Sequence, residues 1–245
     1  MQQPWEGSMQ VKLDLHNHSC LSPCANDDFT PALLAVEAME QGIQILALTD
    51  HNSARNLPAF SEACQLCEIL PLFGLEVSTV EDVHVLTLFS RIEDALEFGS
   101  FIEFLLPAQK NRPDIFGNQL VVDIEGKVLE TVDKLLVSST SLAFSDVVEE
   151  ALSRDALVIP AHIDRYANSV LANLGFLPDL RYSALEAIHL PVHADTHNLA
   201  ILTGSDAHCR EQVGRRSCFL EMEEISYEAL KRSLALPSSV TYHRI

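Results

Sequence analysis

Short apolar runs alternate with longer amphipathic segments along most of this chain. Apolar runs of about four to eight residues predict buried strands, and apolar positions three or four residues apart predict helices. Such alternation is typical of an α/β fold built on a mostly parallel sheet or a barrel. The predicted strands are 11–15, 43–49, 69–78, 83–89, 157–161, 184–190 and 199–204. The predicted helices are 31–41, 55–68, 91–105, 145–154 and 226–235.

The first predicted helix carries residues that are typical of helix ends. Thr30 can accept a hydrogen bond at the N-cap, and Pro31 follows at the first helical position, where its missing N–H costs nothing. Gly42 stands where the chain would leave the helix in a left-handed conformation. These residues predict a helix that starts after Thr30 and stops before Gly42.

Residues 107–144 interrupt the alternation of strands and helices. Within them, QLVVDIEGKVLETV predicts a hairpin, because β-rich arms flank Glu125 and Gly126. We interpret 107–144 as an irregular excursion within one domain that spans 1–245. Long loops beside active sites often select substrates, so we expect the excursion to roof the site.

The balance of charge limits the partners that this chain can have. It contains 35 Asp and Glu residues against 16 Lys and Arg residues, a net charge of −19. Long nucleic acid and anionic membrane surfaces would repel such a chain, so neither is expected as a partner. A small phosphorylated substrate remains compatible, provided that bound cations reverse the local sign of the charge.

Targeting signals are missing from the sequence. No apolar run reaches the ~18 residues of a membrane span. The start lacks a basic region followed by an apolar stretch, so we expect residues 1–8 to be a leader ahead of Met9 rather than a secretory signal. Six cysteines without an export signal favour reduced thiols and a cytoplasmic location. The oligomeric state stays open.

Two predicted strands end in histidines. His16 and His18 follow the first strand, and because side chains alternate along a strand, both imidazoles face the same way. They could bind a metal or be hydrogen-bonded surface histidines. His51 ends the second strand after Asp50, which could orient a ligating imidazole; alternatively, this is an ordinary polar turn.

Glu76 and His84 are separated by only seven residues. Parallel strands need a longer crossover, so the strands that carry these residues should be antiparallel neighbours. In a register that places both side chains on one face, Glu76 and His84 could share a metal, and a carboxylate can bridge two cations. The alternative is a glutamate and a histidine that simply face water.

The later strands end in further polar residues. His162 follows a buried apolar run, and Arg165 lies three residues further on. The planar guanidinium group of Arg165 could bind phosphate, or it could form a surface salt bridge. Asp206 and His208 follow another buried run and are two residues apart, so their side chains should lie on the same face. Because one zinc site uses about three or four protein ligands, the full set predicts two or three divalent metal ions. That set is His16, His18, His51, Glu76, His84, His162, Asp206 and His208.

The strand ends carry a set of motifs in this order: LDLHNHS, LALTDHN, GLEV with the following VHVLTLF, PAHIDR and GSDAH. As a set, these motifs resemble those of the PHP (polymerase and histidinol phosphatase) superfamily. The resemblance covers nearly the whole chain. Within the superfamily, the chain is similar to the small stand-alone phosphoesterases rather than to PHP domains fused to DNA polymerases. It implies a distorted seven-stranded (β/α) barrel that usually holds three metals, commonly zinc, manganese or iron.

The resemblance also implies how the ligands are shared. One metal would be held by His16, His18, Glu76 and Asp206, and a second by His51 and His208. A third would be held by Glu76, His84 and His162, with Glu76 bridging.

One position departs from the family pattern. Pro23 stands where the family often has an aspartate that helps to bind the second metal, and proline cannot ligate. Cys24, Asp27 or Asp28 could substitute, and a thiolate would favour a softer metal such as zinc. Otherwise the second site is weak or empty, and Cys24 is an ordinary thiol.

The leading functional hypothesis is metal-dependent hydrolysis of a small phosphate ester. A metal-bound hydroxide would attack phosphorus, Arg165 would help to bind the phosphate, and Asp206 or His208 would position the water or pass a proton to the leaving group. Three alternatives stay open: a phosphodiesterase or exonuclease acting on short oligonucleotides or nucleotide phosphates, a hydrolase of the amidohydrolase kind, and a non-catalytic metal-binding domain.

Two further groups have no assigned chemistry. His189, His193 and His197 surround a predicted strand end and are interpreted as structural, although they could line a substrate pocket. Arg215 and Arg216 form a small basic island that could hold phosphate near the active mouth. We favour pairing of these two arginines with surface carboxylates.

Overall fold

The structure is a computed structural model that describes residues 7–242. Most of the predicted leader, residues 1–6, lies outside the described residues. The strands are β1 Met9–Asp14, β2 Ile45–Leu48, β3 Leu70–Ser78, β4 His84–Phe89, β5 Leu120–Val122, β6 Val128–Thr131, β7 Leu157–Pro160, β8 Leu185–Glu186, β9 Ile201–Leu202, β10 Cys218–Met222 and β11 Val240–Tyr242.

The described residues also form seven α-helices and two short 3₁₀ helices. No helix among residues 7–242 has the length and the apolar character that crossing a lipid bilayer would require. The α-helices are α1 Pro31–Glu40, α2 Leu57–Leu66, α3 Ile92–Leu105, α4 Pro113–Phe116, α5 Phe144–Ser153, α6 Val170–Asn173 and α7 Tyr227–Leu234. Two short 3₁₀ helices are Arg210–Gln212 and Pro237–Ser239.

The main sheet has the strand order β11-β10-β1-β2-β3-β4-β7. Only the pairs β1–β2 and β2–β3 are parallel, and the other pairs in this sheet are antiparallel. The sheet is therefore less parallel than the alternation of elements predicted. The antiparallel pairing of β3 with β4 is confirmed, because their short connection leaves no room for a crossover helix.

Backbone hydrogen bonds continue around the sheet and close it into a distorted barrel. The amide of Ser183 donates to the carbonyl of Val158, which joins the approach to β8 with β7, and β8 pairs in parallel with β9. Beyond β9, the amide of Asp206 donates to the carbonyl of His16 at 2.8 Å. The strands β1, β2, β3, β4, β7, β8 and β9 thus form the distorted (β/α)7 barrel that the PHP resemblance implies.

The two faces of the sheet bury separate apolar clusters. In β2, Ile45 and Ala47 belong to the inner cluster, whereas Leu46 and Leu48 pack with α1, α2, α3 and α5 in the outer cluster. A strand covered on both faces reads as a continuous apolar run, which is why the sequence of β2 shows no alternation. The inner cluster fills the barrel and leaves its carboxyl end for polar side chains.

Local helix signals are confirmed where the sequence is explicit. The Thr30 hydroxyl accepts a hydrogen bond from the amide of Leu33 at 3.2 Å, and α1 begins at Pro31. Gly42 has a φ of +69°, the left-handed conformation expected just beyond a helix end.

The last strands differ from the prediction. The strand predicted at 184–190 stops at Glu186. The amides of Ile188 and His189 donate to the carboxylate of Asp164 instead of to the backbone of a neighbouring strand. The strand predicted at 199–204 stops at Leu202, since the amide of Ser205 donates to Asp14. Two strands, β10 and β11, were not predicted at all; β10 extends the sheet beyond β1.

The excursion at 107–144 contains the predicted hairpin, formed by β5 and β6. The side chain of Gln119 is fully buried and ties together the backbone of residues 132–136. Its Nε2 atom donates to the carbonyls of Val132 and Lys134, and its Oε1 atom accepts from the amide of Leu136. Asn52, next to the candidate ligand His51, donates to the carbonyls of Leu136 and Ser138. The excursion is therefore tied directly to the mouth of the barrel.

We predict that replacing Gln119 by leucine destabilises the excursion. The substitution roughly keeps the volume of the side chain but removes the partner of the buried carbonyl of Val132, the buried amide of Leu136 and the part-buried carbonyl of Lys134. The free energy of unfolding should therefore fall by roughly 2–4 kcal/mol in urea denaturation. Gln65→Leu on the exposed face of α2 is the matched control and should change it by less than about 0.5 kcal/mol. Equal stabilities of the two variants would contradict this account.

Candidate metal centre

The structure brings the eight predicted ligand residues together at the carboxyl end of the barrel. The Nε2 atoms of His16 and His18 are 3.3 Å apart, which agrees with the shared orientation expected for this pair. His18 also lies beside His208, with ring centroids 4.2 Å apart. Residues from six separate stretches of the chain thus meet in one cluster.

Glu76 lies at the centre of this cluster and is almost fully buried. Its Oε1 atom is 2.8 Å from Nδ1 of His84, 3.0 Å from Nε2 of His162 and 3.3 Å from Nε2 of His16. Its Oε2 atom is 3.1 Å from Nδ1 of His51 and 3.3 Å from Nε2 of His18. A single carboxylate therefore contacts five imidazoles.

Asp206 supplies the second carboxylate of the cluster. Its Oδ1 atom is 3.2 Å from Nε2 of His18 and 3.4 Å from Nε2 of His16, and its Oδ2 atom is 3.7 Å from Nη1 of Arg165. These groups open into a cavity of about 250 Å³, here called the metal cavity. Its lining is Cys24, His51, Glu76, His84, Val137, Arg165, Asn168, Asp206 and His208.

Glu186 fixes the orientation of His16 and was not recognised in the sequence. Both of its carboxylate oxygens contact Nδ1 of His16, at 2.9 and 3.1 Å, and one also accepts from the amide of His162. A carboxylate accepts hydrogen bonds, so Nδ1 of His16 carries a proton and its Nε2 atom presents a lone pair to the cluster. Glu186 ends the short strand β8, so its position at a strand end was the available signal.

A second relay fixes His18. The hydroxyl of Ser22 donates to Oδ1 of Asp50 at 2.7 Å, so its oxygen accepts from Nδ1 of His18 at 3.0 Å. Asp50 thus orients an imidazole through Ser22, but the imidazole is His18 rather than the neighbouring His51. His208 is fixed in the same sense, because its Nδ1 atom donates to the carbonyl of Asp206 at 2.9 Å.

The inward Nε2 atoms of His16 and His18 therefore direct lone pairs toward carboxylate oxygens. Both kinds of atom are electron donors, so the arrangement suits a bound cation between them. Without metal, protons take that place. Burial opposes charge on His16, but Glu186, Glu76 and Asp206 outweigh it and raise its pKa well above the usual value. Burial likewise lowers the pKa of His18, yet Asp206 and Glu76 raise it to about 9.

Not every imidazole in the cluster takes up a proton. Burial and the nearby charge of His18 together lower the pKa of His208 to about 4. Burial also lowers the pKa of His51 well below its usual value. The buried Nδ1 atom of His51 lies 3.1 Å from Oε2 of Glu76 but makes no hydrogen bond of normal geometry among the described residues, which leaves it free to ligate.

The geometry divides these ligand atoms into three overlapping groups. Within each group, one possible ligand atom per residue lies within 4.8 Å of the others. This division is not identical to the one that the family resemblance implies, because His18 joins His51 and His208, and His162 joins no group. Among the described residues the groups are His16, His18 and Asp206; His18, His51 and His208; and His51, Glu76 and His84.

The loop that departs from the family pattern offers no replacement carboxylate to these groups. Cys24 lines the metal cavity, but it belongs to none of the three groups. Cys24 is exposed as a residue, but desolvation of its thiol at the cavity wall and the charge of Glu76 raise the pKa of the thiol to about 12, so without metal it stays protonated. The carboxylate of Asp27 accepts from the side chain of Asn118 instead. Ligation by Cys24 stays a prediction.

Arg215 and Arg216 lie behind Asp206 and bind backbone carbonyls rather than surface carboxylates. Arg215 donates to the carbonyls of Ser205 and Asp206, and Arg216 donates to those of Gly204 and Ser205. Asp206 has a φ of +49°, so these bonds hold the loop in an uncommon backbone conformation. The basic island therefore shapes the loop that carries Asp206.

Comparison with known proteins yields one curated sequence match and several structural ones. The chain is 30% identical over 98 residues to the PolC-type DNA polymerase III of Thermotoga petrophila (strain ATCC BAA-488 / DSM 13995 / JCM 10881 / RKU-1). That match covers 40% of this chain and 7% of the polymerase. The chain thus spans a small fraction of the curated relative that it matches.

Among solved structures, the endonuclease Q of Pyrococcus furiosus, a lesion-specific endonuclease, has a TM-score of 0.70 and 19% identity. The match covers 96% of this chain and 58% of that one, and another structure shows endonuclease Q with a 27-mer duplex that carries an abasic lesion. Proteins of this fold thus include one that binds duplex DNA, so the expectation of a small substrate alone is not confirmed.

Two other solved structures match over most of both chains. A proposed metal-dependent phosphoesterase from Bifidobacterium adolescentis has a TM-score of 0.57 and 17% identity, and the match covers 80% of this chain and 87% of that one. An amidohydrolase from Chromobacterium violaceum, with bound sulfate and no metal, has a TM-score of 0.57 and 19% identity. This match covers 94% of this chain and 97% of the amidohydrolase. At these identities the matches show the fold alone.

The family model named PHP domain matches residues 14–174, about two thirds of the sequence. This range contains His16, His18, His51, Glu76, His84 and His162, six of the eight clustered residues. The clustered side chains are of the kinds that bind divalent metal ions. The chain belongs to the PHP domain family.

Proposed function

We propose that this chain hydrolyses small phosphate esters with the help of two or three divalent metal ions. The observation that carries the proposal is the centre formed by Glu76, where carboxylates and imidazole lone pairs of fixed orientation converge. Such a donor set suits zinc, manganese or iron. The ligands would be His16, His18, His51, Glu76, His84, His162, Asp206 and His208.

The bound cations would supply charge neutralisation for the phosphate and a lowered pKa for a water molecule. The remaining steps belong to the chain. Arg165 lines the metal cavity beside Asp206 and would bind a phosphate oxygen through its guanidinium group. Asp206 or His208 would hold the attacking water at an acceptor atom and pass a proton to the leaving oxygen.

The excursion contributes to the walls of the metal cavity. Val137 of the excursion and Asn168 line the cavity together with Asp206 and His208. The carbonyl of Asn168 accepts from the amide of His84 at 3.1 Å, so this wall is anchored to β4. The excursion would thus limit access of water and of large substrates to the ligands.

A phosphodiesterase or nuclease is the second candidate. It is favoured by the structural likeness to endonuclease Q, which extends over 96% of this chain. The net charge of −19 opposes binding of long nucleic acid, because each phosphate contact would compete with surface carboxylates. Assays of monoesters, cyclic nucleotides, short oligonucleotides and lesion-bearing duplexes, each with Mn²⁺ and with Zn²⁺, distinguish the two candidates.

The location of the protein is also part of the proposal. All six cysteines are free, and the buried thiols of Cys20, Cys64 and Cys218 have no disulfide partner. Free thiols are typical of proteins kept in a reducing compartment, which supports a cytoplasmic location.

Combined replacement of His16 and His18 by alanine should abolish phosphate ester hydrolysis. Loss of several kcal/mol of charge stabilisation corresponds to a fall in kcat/KM of roughly a thousandfold. Steady-state kinetics with bound Mn²⁺ measure the effect, and His197→Asn at an exposed loop position is the control that should retain full activity. Full activity of the double variant would refute the mechanism.

Divalent metal should stabilise the folded chain through Glu76. At a metal concentration about 100 times Kd, mass action adds about 2.7 kcal/mol, or roughly 5–10 °C in Tm. Differential scanning fluorimetry with Zn²⁺ or Mn²⁺, reversed by EDTA, measures the shift. Glu76→Gln should lose most of it, whereas Glu93→Gln on the exposed face of α3 should keep it. An equal shift in both variants would argue against Glu76 as a ligand.

Gly204 should be required for the position of Glu186. An added Cβ atom would lie 2.2 Å from Oε1 of Glu186 and 2.7 Å from Cβ of His16, so Gly204→Ala must displace the pair that orients His16. Metal affinity should fall roughly 10–100-fold in titration calorimetry. Gly99→Ala, whose Cβ atom would meet Ala54 at 2.6 Å, should lower stability but leave metal affinity unchanged. Equal affinity losses would show a general effect of destabilisation.

A further inference from the structure

A cavity of about 260 Å³, here called the basal cavity, lies at the end of the barrel opposite the metal centre. Its lining includes Ser183, which lies two residues before β8, and Ala200, which directly precedes β9. The carboxyl ends of the same two strands lead to Glu186 and Asp206 of the metal centre. A ligand in the basal cavity would therefore take no part in the hydrolysis proposed above.

The lining of the basal cavity carries positive charge without a carboxylate. Among the described residues that line it, the charged ones are Arg181 and Lys231. The metal cavity, by contrast, is lined by both Glu76 and Asp206. The chain as a whole has a net charge of −19, so most of its surface repels anions. The basal cavity is therefore a local region that favours an anion.

One of these two cations has no counter-charge. Nζ of Lys231 donates to Oδ1 of Asp155 at 2.5 Å, whereas the exposed side chain of Arg181 makes no hydrogen bond or ion pair with another described residue. The planar guanidinium group of Arg181 matches the two oxygens of a carboxylate. A single unpaired cation suits a carboxylate, which has one negative charge, better than a phosphate monoester, which has about two.

Neutral donors add to the charge of Arg181. The oxygen of Ser183 accepts from the amide of Val158 at 3.0 Å, which leaves the O–H group of Ser183 able to donate to a ligand. The side-chain amide of Asn198 also lines the basal cavity and has no hydrogen-bond partner among the described residues. The cavity thus offers hydrogen-bond donors of both kinds to an anionic group.

The rest of the lining is largely apolar. Leu157 and Leu234 are almost fully buried, and Leu199 and Pro237 complete this wall. Sites for drug-sized molecules usually occupy roughly 300–1,000 Å³, so a cavity of about 260 Å³ fits a smaller ligand. Burial of a few carbon atoms against the apolar wall would strengthen binding. The ligand should therefore combine one charged group with a short apolar body.

We propose that the basal cavity binds a small aliphatic carboxylate. The carboxylate group lies on Arg181, accepts further hydrogen bonds from Ser183 and Asn198, and places its carbon chain against Leu199 and Leu234. The proposal goes beyond the hydrolysis proposed above and does not depend on it, because it uses none of the candidate metal ligands.

Three probes test the charge and the apolar body separately. 3-Methylbutanoate has both features, 3-methylbutanamide has the same shape without the charge, and acetate has the charge with a shorter body. Titration calorimetry measures the affinity of the full chain for each probe. The titrations are made with Zn²⁺ bound and again in EDTA, because a carboxylate could also bind to metal ions in the metal cavity.

Two variants change the basal cavity, and each has a matched control. Arg181→Gln removes the unpaired charge, and Arg112→Gln removes the same charge from an exposed position in the excursion. Ala235→Phe adds bulk at an exposed position that lines the basal cavity, and Ala172→Phe adds the same bulk at an exposed position on α6. Thermal denaturation of all four variants checks that they fold.

The wild-type chain should bind 3-methylbutanoate at least about tenfold more tightly than the amide or acetate, with and without Zn²⁺. Arg181→Gln and Ala235→Phe should each weaken this binding by about tenfold. The two control variants should bind like the wild type. Because Arg181 is exposed, its variant is expected to fold even if Ala235→Phe does not.

Several results would overturn the proposal. Equal affinity for the acid and the amide would show that the charge of Arg181 has no role. Binding that disappears in EDTA, or that Arg165→Gln abolishes while Arg181→Gln leaves it unchanged, would place the carboxylate in the metal cavity. Failure of the folded wild-type chain to bind 3-methylbutanoate would leave the basal cavity without the proposed ligand. None of these results would affect the proposed phosphate ester hydrolysis, which is measured separately.

Discussion

The burial of one carboxylate among five imidazoles is the constraint on which the site depends. Glu76 is almost inaccessible to solvent and contacts histidines from four other segments of the barrel. A buried anion is costly unless positive charge lies beside it. Burial raises the pKa of Glu76, but His84, His16 and His51 outweigh it and hold that pKa well below the usual value. The cluster therefore requires cations, either protons on imidazoles or bound metal.

Around Glu76, a layer of buried polar groups fixes the direction of each imidazole. Glu186 holds His16, and the pair of Ser22 and Asp50 holds His18. These groups also join strands across the barrel, because Glu186 ends β8 and Asp50 follows β2. The hydrogen bonds that close the barrel and those that orient the ligands are thus part of one network. Disruption of the network should affect metal affinity before it unfolds the chain.

The acidic composition of the chain becomes compatible with a phosphate substrate only through this site. A net charge of −19 repels polyanions at long range, whereas two or three divalent cations and Arg165 would reverse the sign within the metal cavity. For the function proposed above, the same contrast would favour a small ester over a long polymer.

The sequence by itself determined the features that depend on near neighbours. Thr30 and Gly42 bound α1, the short link after Glu76 requires antiparallel strands, and the order of motifs identifies the barrel and the candidate ligands. Tertiary structure decided which distant residues meet. Glu186 reaches His16 across 170 positions, Asp50 acts on His18 instead of His51, and Arg215 turns to the carbonyls behind Asp206. Local patterns encode strand and helix period, but a hydrogen bond between remote segments depends on how the barrel closes, and only the packed chain specifies that.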